Sequence, residues 1–475
     1  GGEDITRPLS SGSQEFENDS SRPPLYQPFP KLESLIQCSG EAEYIYDKPV
    51  IACDLHAAFV ITRHGPAVLG GLDPSRALKL PGVVAFYSAK DIPGRNTFTV
   101  RNTLIPEEEQ LFADKKIQFA GQSVGLVVAV TQELADVAAD LVQIVYKSKE
   151  RPILDLREIV KNNYMDRMFL KFDKEATTTK PDVRKVIQGE FKTNEQYHFP
   201  LEMLSCLTVP TEDGQELDVF CSTQWHQAVN EAIAVLLNIP QNKINFRLRR
   251  LGGAYGIKLT RGNFVGAACS LAAYLLQKPV RMVVKLETMM ETIGKRNPCL
   301  VLYETGVNNE GEIQYLNLKV YVDAGSSFND PTVPTLSTGY QNVYDSITWS
   351  AKIFDVRTDK PSNVWTRAPG TLEAVAIPEL IMEHIAHEVE RDPLYVRMTN
   401  FNPQYPIQGL INILRQKSDF ESRKNAVEQF NRNQVWKKRG ISLVPARFSI
   451  SLLGNYHATI SVYSKDGTVA LSRWD

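Results

Sequence analysis

The sequence predicts an α+β protein. Strand-like and helical runs mix along 475 residues without strict repetition, and one strand-helix-strand unit stands at residues 124–146. A content of 43% hydrophobic and 23% charged residues is ordinary globular composition. That length bounds the chain to about two to four domains, and the composition excludes collagen-like, disordered and coiled-coil proteins. Lys and Arg number 53 against 55 Asp and Glu, a formal charge of -2. No global field therefore draws the chain to nucleic acid or to an anionic membrane, and specificity must sit in a local site.

Residues 1–37 are rich in Ser, Pro, Asp and Glu, carry Arg22-Pro23-Pro24 and Pro28-Phe29-Pro30, and show no hydrophobic period. They read as an extended surface segment, a linker or a tail that docks elsewhere. From Cys38 the texture changes: 59–62 and 83–87 read as strands, with turns at Pro81-Gly82 and Ile92-Pro93-Gly94. Residues 124–130 are a buried strand, 132–141 a helix facing inward with Leu134, Val137, Ala138 and Leu141, and 142–146 a returning strand. Arg151-Pro152 and the charged stretch 161–180 mark a connector.

A strand at 217–220 leads through Ser222-Thr223-Gln224 to a helix at 227–237, stopped by Pro240. The strand 244–248 runs into Gly252-Gly253-Ala254-Tyr255-Gly256. The apolar run 264–276 is shorter than the roughly 20 residues of a membrane span and is interrupted by Gly266, Cys269 and Ser270, so it reads as a buried helix of a soluble protein. A strand at 280–286 precedes a hairpin of 300–306 with 313–322, turning at Asn308-Asn309-Glu310-Gly311. From Thr371 a long helix aligns Ala374, Ile377, Leu380, Ile381, Ile385 and Val389, and ends at Arg391-Asp392-Pro393. A polar helical stretch at 420–436 follows. Residues 440–445 and 458–463, with a turn at Ser464-Lys465-Asp466-Gly467 before 468–471, then open a new sheet.

The six cysteines form no Cys-x-x-Cys pair and mostly sit in apolar runs, which suits small core residues in a reducing, cytoplasmic compartment. The start, Gly1-Gly2-Glu3-Asp4, has no initiating Met and no basic-then-apolar signal, and Leu471-Ser472-Arg473-Trp474-Asp475 follows a strand without a closing element. The chain reads as a piece of something longer.

Four constellations could carry chemistry. The loop 251–260 lies between a strand and a helix, where backbone N–H groups can hold an anion, but Ile257 and Leu259 break the Gly-Lys-Ser/Thr run that a P-loop needs. A structural turn and a loop closely approached by a ligand are both open, since glycine serves either use. His384-Ile385-Ala386-His387-Glu388 lacks the His-Glu-x-x-His order of zinc proteases and reads as a polar helix face. Ser222-Thr223-Gln224 occupies a strand-to-helix junction, the usual place of a helix cap. Arg367-Ala368-Pro369-Gly370 puts a cation at a helix N-terminus, where the dipole disfavours it unless an anion is shared.

Read together, Cys38-Ser39-Gly40-Glu41-Ala42, Asp91-Ile92-Pro93-Gly94, Ala120-Gly121-Gln122-Ser123-Val124-Gly125, Ser222-Thr223-Gln224, Gly252-Gly253-Ala254-Tyr255-Gly256, Arg367-Ala368-Pro369-Gly370, Asp392-Pro393-Leu394-Tyr395-Val396-Arg397 and Trp436-Lys437-Lys438-Arg439-Gly440 occur in one order. In that order the chain resembles, over essentially its whole length, the large subunit or domain of molybdenum hydroxylases, the aldehyde oxidase and xanthine dehydrogenase family. The Arg-Ala-Pro-Gly version is similar to the insect aldehyde oxidase branch.

With the linker over 1–37 and the connector over 151–180 read from composition, the resemblance implies an α/β hammerhead domain over 38–150, a first molybdopterin-binding domain over 181–415 and the start of a second over 416–475. It implies that Gln224 hydrogen-bonds an oxo group on molybdenum, that Gly253, Tyr255 and Gly256 bring backbone and an aromatic ring against the molybdopterin cofactor, and that Arg367 contacts the molybdenum centre from the other side. Leu259 and Pro369 would line the substrate pocket. Purine-oxidising members carry a glutamate where Leu259 stands, and an arginine upstream of the Arg367 motif, whereas no Arg lies between Arg296 and Arg357. A purine would leave polar groups unpaired at about 1–3 kcal/mol each, so the expected substrate is an apolar aldehyde, oxidised to a carboxylic acid with water as oxygen source.

In the family, electrons leave through two [2Fe-2S] clusters and FAD, and a glutamate acts as base. The cluster cysteine patterns do not occur here, the base is expected beyond Asp475, and none of Glu373, Glu379 and Glu388 matches it. The expectation is an inactive fragment of a homodimeric enzyme. The alternatives are a non-catalytic remnant serving as a binding or dimerisation partner, and a xanthine dehydrogenase-like purine hydroxylase. Ile257 replaces a glycine usual in the loop, and its β-branched side chain would clash if the backbone needed positive φ there.

Overall fold

A computed structural model describes residues 21–25, 29–102, 104–449 and 457–473. The extended segment expected over 1–37 lies outside the described residues at 1–20 and 26–28, as do Trp474 and Asp475. Its described end forms helix α1 (Ser34–Ser39), and the preceding Glu33 takes two hydrogen bonds from the Arg250 guanidinium, at 3.1 and 3.0 Å.

The next elements are β1 (Leu55–Ile61), β2 (Ala67–Asp73), α2 (Ser75–Leu78), β3 (Val83–Ser88), β4 (Lys116–Ile117), β5 (Ser123–Ala129), α3 (Gln132–Leu141) and β6 (Gln143–Lys149). All seven residues of β5 are buried, as a continuous apolar run predicts for a central strand. Thr131 caps α3 by accepting from the Leu134 N–H at 3.2 Å. The buried face of α3 is Ala135, Ala138 and Ala139, whereas Val137, expected inside, is exposed. Alanines let the helix axis come close to β1 and β5, and that contact sets the rotation of the helix.

Then follow α4 (Leu156–Lys161), β7 (Met168–Lys174), β8 (Lys185–Lys192), β9 (Ser205–Thr211), β10 (Glu216–Cys221), α5 (His226–Leu237), β11 (Ile244–Phe246), α6 (Ile257–Leu276), β12 (Val280–Val283) and α7 (Leu286–Thr292). Where the sequence suggested a connector over 151–180, the chain forms α4 and β7, and β7 pairs antiparallel with a later strand. Its exposed Lys and Asp conceal the apolar residues, Leu156 and Ile159, that anchor it. The strand expected over 280–286 stops at Val283; Val284 makes a last hydrogen bond to the Leu204 carbonyl at 3.0 Å, and Leu286 begins a helix.

The remaining elements are β13 (Cys299–Val307), β14 (Ile313–Gly325), α8 (Val333–Gly339), β15 (Trp349–Arg357), α9 (Thr371–Glu388), α10 (Pro393–Thr399), α11 (Ile407–Lys417), α12 (Phe420–Asn433), β16 (Ala458–Val462) and β17 (Val469–Arg473). The hairpin turn at 308–311 forms as expected, with Asn308 Oδ1 accepting from the N–H groups of Glu310 and Glu312. Leu380 of α9 is exposed, and Met382 and Ala386 are buried in its place. Helix α11 was not foreseen. Residues 440–445 form no strand, although Leu443 packs with Leu394, Ile411 and Phe420.

The strands assemble into a seven-stranded sheet ordered β11-β10-β9-β12-β1-β5-β3, a five-stranded sheet ordered β7-β15-β14-β13-β8, the small sheet β4-β2-β6 and the hairpin β16-β17. Parallel pairing of β1 with β12, with Leu55 opposite Val280, carries one sheet across two regions that read as separate in sequence. Helix α6 lies against it, buried from Ile257 to Ala273 except at Leu259, and Phe264 stacks on Phe59 with centroids 4.1 Å apart. Cys206, Cys221, Cys269 and Cys299 are buried free thiols, while Cys38 and Cys53 are exposed. Among the described residues no helix is long and apolar enough to cross a membrane.

Candidate functional site

The strand β10 ends at Cys221, and Ser222, Thr223 and Gln224 turn the chain into α5. Thr223 Oγ1 donates to the Lys258 carbonyl at 3.0 Å and accepts from the Trp225 N–H at 3.0 Å. The hydroxyl thus ties this turn to the start of α6 rather than capping α5 in the usual way. Gln224 is exposed, and its Oε1 accepts from the Gly256 N–H at 3.1 Å.

The Gly-rich loop reaches that point through left-handed backbone. Gly253 has φ 94°, Tyr255 58° and Gly256 104°. A Cβ on Gly256 would sit 1.9 Å from the Trp365 carbonyl oxygen, so only glycine fits. Helix α6 starts one residue later, and Ile257, fully buried, points into the core rather than obstructing the loop. Lys258 is also buried and bonds Glu202 at 2.7 Å; burial lowers its pKa, and the Glu202 carboxylate opposes that shift.

The second loop, 364–370, descends on the first. Arg367, Ala368 and Gly370 all have positive φ, at 26°, 57° and 73°. The Arg367 N–H donates to the Tyr255 carbonyl at 3.2 Å, and the guanidinium carbon lies 4.1 Å from the Tyr255 ring centroid. A cation over an aromatic face at this distance contributes about 0.5–1 kcal/mol in an exposed setting. From beneath, Arg296 donates to the Arg367 carbonyl at 2.7 Å and faces Glu373 at 3.4 Å. Burial raises the Glu373 pKa.

Of the residues singled out in the sequence, Gln224, Gly256, Tyr255 and Arg367 therefore meet, and Gly253 with Tyr255 borders a cavity of about 610 Å³ that Tyr44, Tyr46, Leu201 and Met203 also line. Leu259, in the first turn of α6, and Pro369 are half-buried and stand outside these hydrogen bonds. The other glutamates are engaged elsewhere: Glu379 with Arg397 at 2.7 Å and with the Tyr344 hydroxyl, Glu388 with Lys185 at 2.7 Å. His384 bonds the Tyr303 hydroxyl at 2.6 Å and His387 is exposed, so that motif serves as a polar helix face. His198, Glu202 and Arg296, which hold the two loops, were missed, because a lone His or Glu in an irregular segment carries no spacing signal.

The open face of the cluster offers the Arg367 guanidinium, the Tyr255 hydroxyl and the Gln224 amide nitrogen, which makes no hydrogen bond among the described residues. Such a set of donors and one cation suits an anionic group that brings its own metal ligands. Among the described residues no three His, Cys, Asp or Glu side chains gather as a metal-holding group.

Residues 159–401 match the molybdopterin cofactor-binding domain family, and residues 39–150 match the a/b hammerhead domain of aldehyde oxidase and xanthine dehydrogenase. Over 98% of its length the chain is 34% identical to a xanthine dehydrogenase of Dictyostelium discoideum, covering 35% of that protein. Over 98% it is also 31% identical to an indole-3-acetaldehyde oxidase of Arabidopsis thaliana, covering 37%. The chain thus spans about a third of the length of these relatives. The aldehyde oxidoreductase of Desulfovibrio desulfuricans superposes with a TM-score of 0.80 at 20% identity, over 93% of this chain and 52% of that one, a likeness of fold.

Proposed function

The chain belongs to the aldehyde oxidase and xanthine dehydrogenase family, and on that premise we propose that its two facing loops form one side of a molybdopterin site in an enzyme that oxidises aldehydes to carboxylic acids. The observation that carries the proposal is the meeting of Gln224, Gly256, Tyr255 and Arg367. When bound, the molybdenum group supplies the two-electron redox chemistry that joins the oxygen of water to the aldehyde carbon.

The protein's own part is binding, orientation and charge. Gln224 offers its amide N–H to an oxygen of the bound group while its carbonyl stays on the Gly256 N–H. Arg367, held over the Tyr255 ring, would place a fixed positive charge beside a bound anionic group, where such a charge lowers the barrier without reorganisation at the moment of reaction. Leu259 gives the substrate an apolar neighbour where a polar purine needs a partner, which favours an apolar aldehyde. Glu373, Glu379 and Glu388 are held in ion pairs, and the role of base is assigned to none of the three. For the whole protein we propose electron transfer through [2Fe-2S] clusters and FAD, a homodimeric assembly and a cytoplasmic location.

The test is molybdenum content by elemental analysis of the whole protein, with turnover of an apolar aldehyde and of xanthine. Stoichiometric molybdenum and faster aldehyde turnover support the proposal. Preference for xanthine, or no molybdenum, overturns it.

A further inference from the structure

Both loops of the candidate site run through left-handed backbone at residues other than glycine, Tyr255 in one and Arg367 and Ala368 in the other. Such conformations persist only where the surroundings over-determine them. The surroundings here are dominated by one irregular segment, residues 196–202, between β8 and β9.

At one end of that segment His198, 1% exposed, sets its Nε2 at 2.8 Å from the Trp365 carbonyl and 2.6 Å from Thr366 Oγ1. The Thr366 hydroxyl donates to the Val364 carbonyl, so the ring must supply the proton to both acceptors as the neutral Nε2–H tautomer. His198 Nδ1 is buried without a partner. Burial, opposed by the hydrogen bond to Trp365, holds its pKa down at about 4.

At the other end, Glu202 Oε2 accepts from the Gly252 N–H at 2.8 Å and from Lys258 Nζ at 2.7 Å, and the Glu202 N–H donates to the Gly252 carbonyl at 2.8 Å. Arg296 joins the segment to the second loop, donating to Gln196 Oε1 at 2.9 Å and to the Arg367 carbonyl at 2.7 Å.

We propose that His198 and Glu202 are positioning residues: through them residues 196–202 fix the Gly-rich loop and the Arg367 loop to a single anchor and so set the placement of the Arg367 charge over Tyr255. Among the described residues neither side chain bonds Gln224, Tyr255 or Arg367, although the His198 carbonyl accepts from the Arg367 guanidinium at 3.5 Å and Glu202 borders the same cavity as Tyr255. The catalytic meaning of this anchor rests on the function proposed above, whereas the coupling between the loops is a property of the chain alone.

The experiment is amide hydrogen exchange at Gly256 and Arg367 in the full chain, for His198→Gln and His198→Asn. The Gln amide nitrogen reaches the place of Nε2 and can donate as the ring does, whereas the Asn nitrogen falls short, at the place of Nδ1. The expected result is about tenfold faster exchange at both amides in H198N and near wild-type exchange in H198Q, with equal unfolding midpoints. A Glu202→Gln variant should likewise raise exchange at both loops. The proposal is overturned if H198N and H198Q behave alike, or if either variant loosens only the loop it touches. In the molybdenum-loaded whole protein H198N should lower kcat with KM unchanged, and H198Q should restore it. Whole protein that holds no molybdenum, with the exchange coupling intact, overturns the functional reading and leaves the anchor standing.

Discussion

The Arg367 guanidinium lies 4.1 Å from the Tyr255 ring centroid, and the Arg367 N–H bonds the Tyr255 carbonyl at 3.2 Å. One residue pair thus joins two loops through backbone and side chain together. Arg367→Lys keeps the charge and loses the guanidinium's contact with the ring, so it should cost about 0.5–1 kcal/mol in a wild-type background and nothing further beside Tyr255→Leu. A double-mutant cycle in urea, with molybdenum retention measured alongside, decides this. Equal costs in both backgrounds would mean that the contact contributes nothing.

Gly256→Ala should destabilise by about 2–4 kcal/mol, since the new Cβ would lie 1.9 Å from the Trp365 carbonyl oxygen on backbone at φ 104°. Gly409→Ala is the contrast. It sits inside α11 with nothing within 4 Å of a new Cβ, and should stabilise by about 0.5–1 kcal/mol through helix propensity. Urea midpoints of the two variants should move in opposite directions.

Arg261 and Glu109 form a buried pair through two hydrogen bonds of 2.9 Å, supported by Asn329 and Ser327. Removing either partner alone, as in Arg261→Met, should cost about 3–5 kcal/mol, and replacing both with apolar residues should recover most of it. Burial pushes the Glu109 pKa up, but Arg261 and the donors around it more than offset this and leave it lowered. The pair's contribution is therefore present above the ordinary glutamate pKa and is lost as pH falls through the lower folded value. The loss on Arg261→Met should shrink correspondingly in acid.

His198 and Asp330 oppose each other in acid. Burial holds His198 at about 4 in the fold, below its ordinary 6.5, so its contribution is lost as pH falls through that interval. Burial raises Asp330 from 3.8 to about 6, so its contribution is present in acid and is lost as pH rises through about 6. Each is worth at most about 3 kcal/mol and they nearly cancel between the two folded values. Relative to wild type, stability of His198→Gln should rise as pH falls from 6 to 4, and that of Asp330→Asn should fall. Parallel pH profiles for all three proteins would refute this.

Leu259→Glu should shift preference from apolar aldehydes toward purines by about tenfold or more in the ratio of kcat/KM values, measured on the whole protein. An unchanged ratio would detach Leu259 from the substrate pocket.

Much of the fold was legible in the sequence because continuous apolar runs fix buried strands and helices regardless of partners. Residues 123–129 are all buried, and the run 264–276 lies within a buried helix. The stretch 151–180 was misread because its apolar anchors, Leu156 and Ile159, are sparse among charges and acquire meaning only when β7 pairs with β15. Side-chain rotation failed in the same way: Val137 and Leu380 match helical spacing, yet close packing of neighbouring alanines and of Met382 turned them outward.

For the site, the sequence by itself determined the parts: a glutamine after a strand, a Gly-rich loop between a strand and a helix, an Arg-Ala-Pro-Gly turn before a helix, and the family to which their order belongs. Only the tertiary structure decided that β1 and β12 share a sheet, that Arg367 lies over Tyr255, and that His198 and Glu202 hold both loops from one segment. The physical reason is range. Propensity, capping and backbone strain act within a few residues and leave local signals, whereas a hydrogen bond between a lone histidine and a loop far along the chain exists only after packing has brought them together.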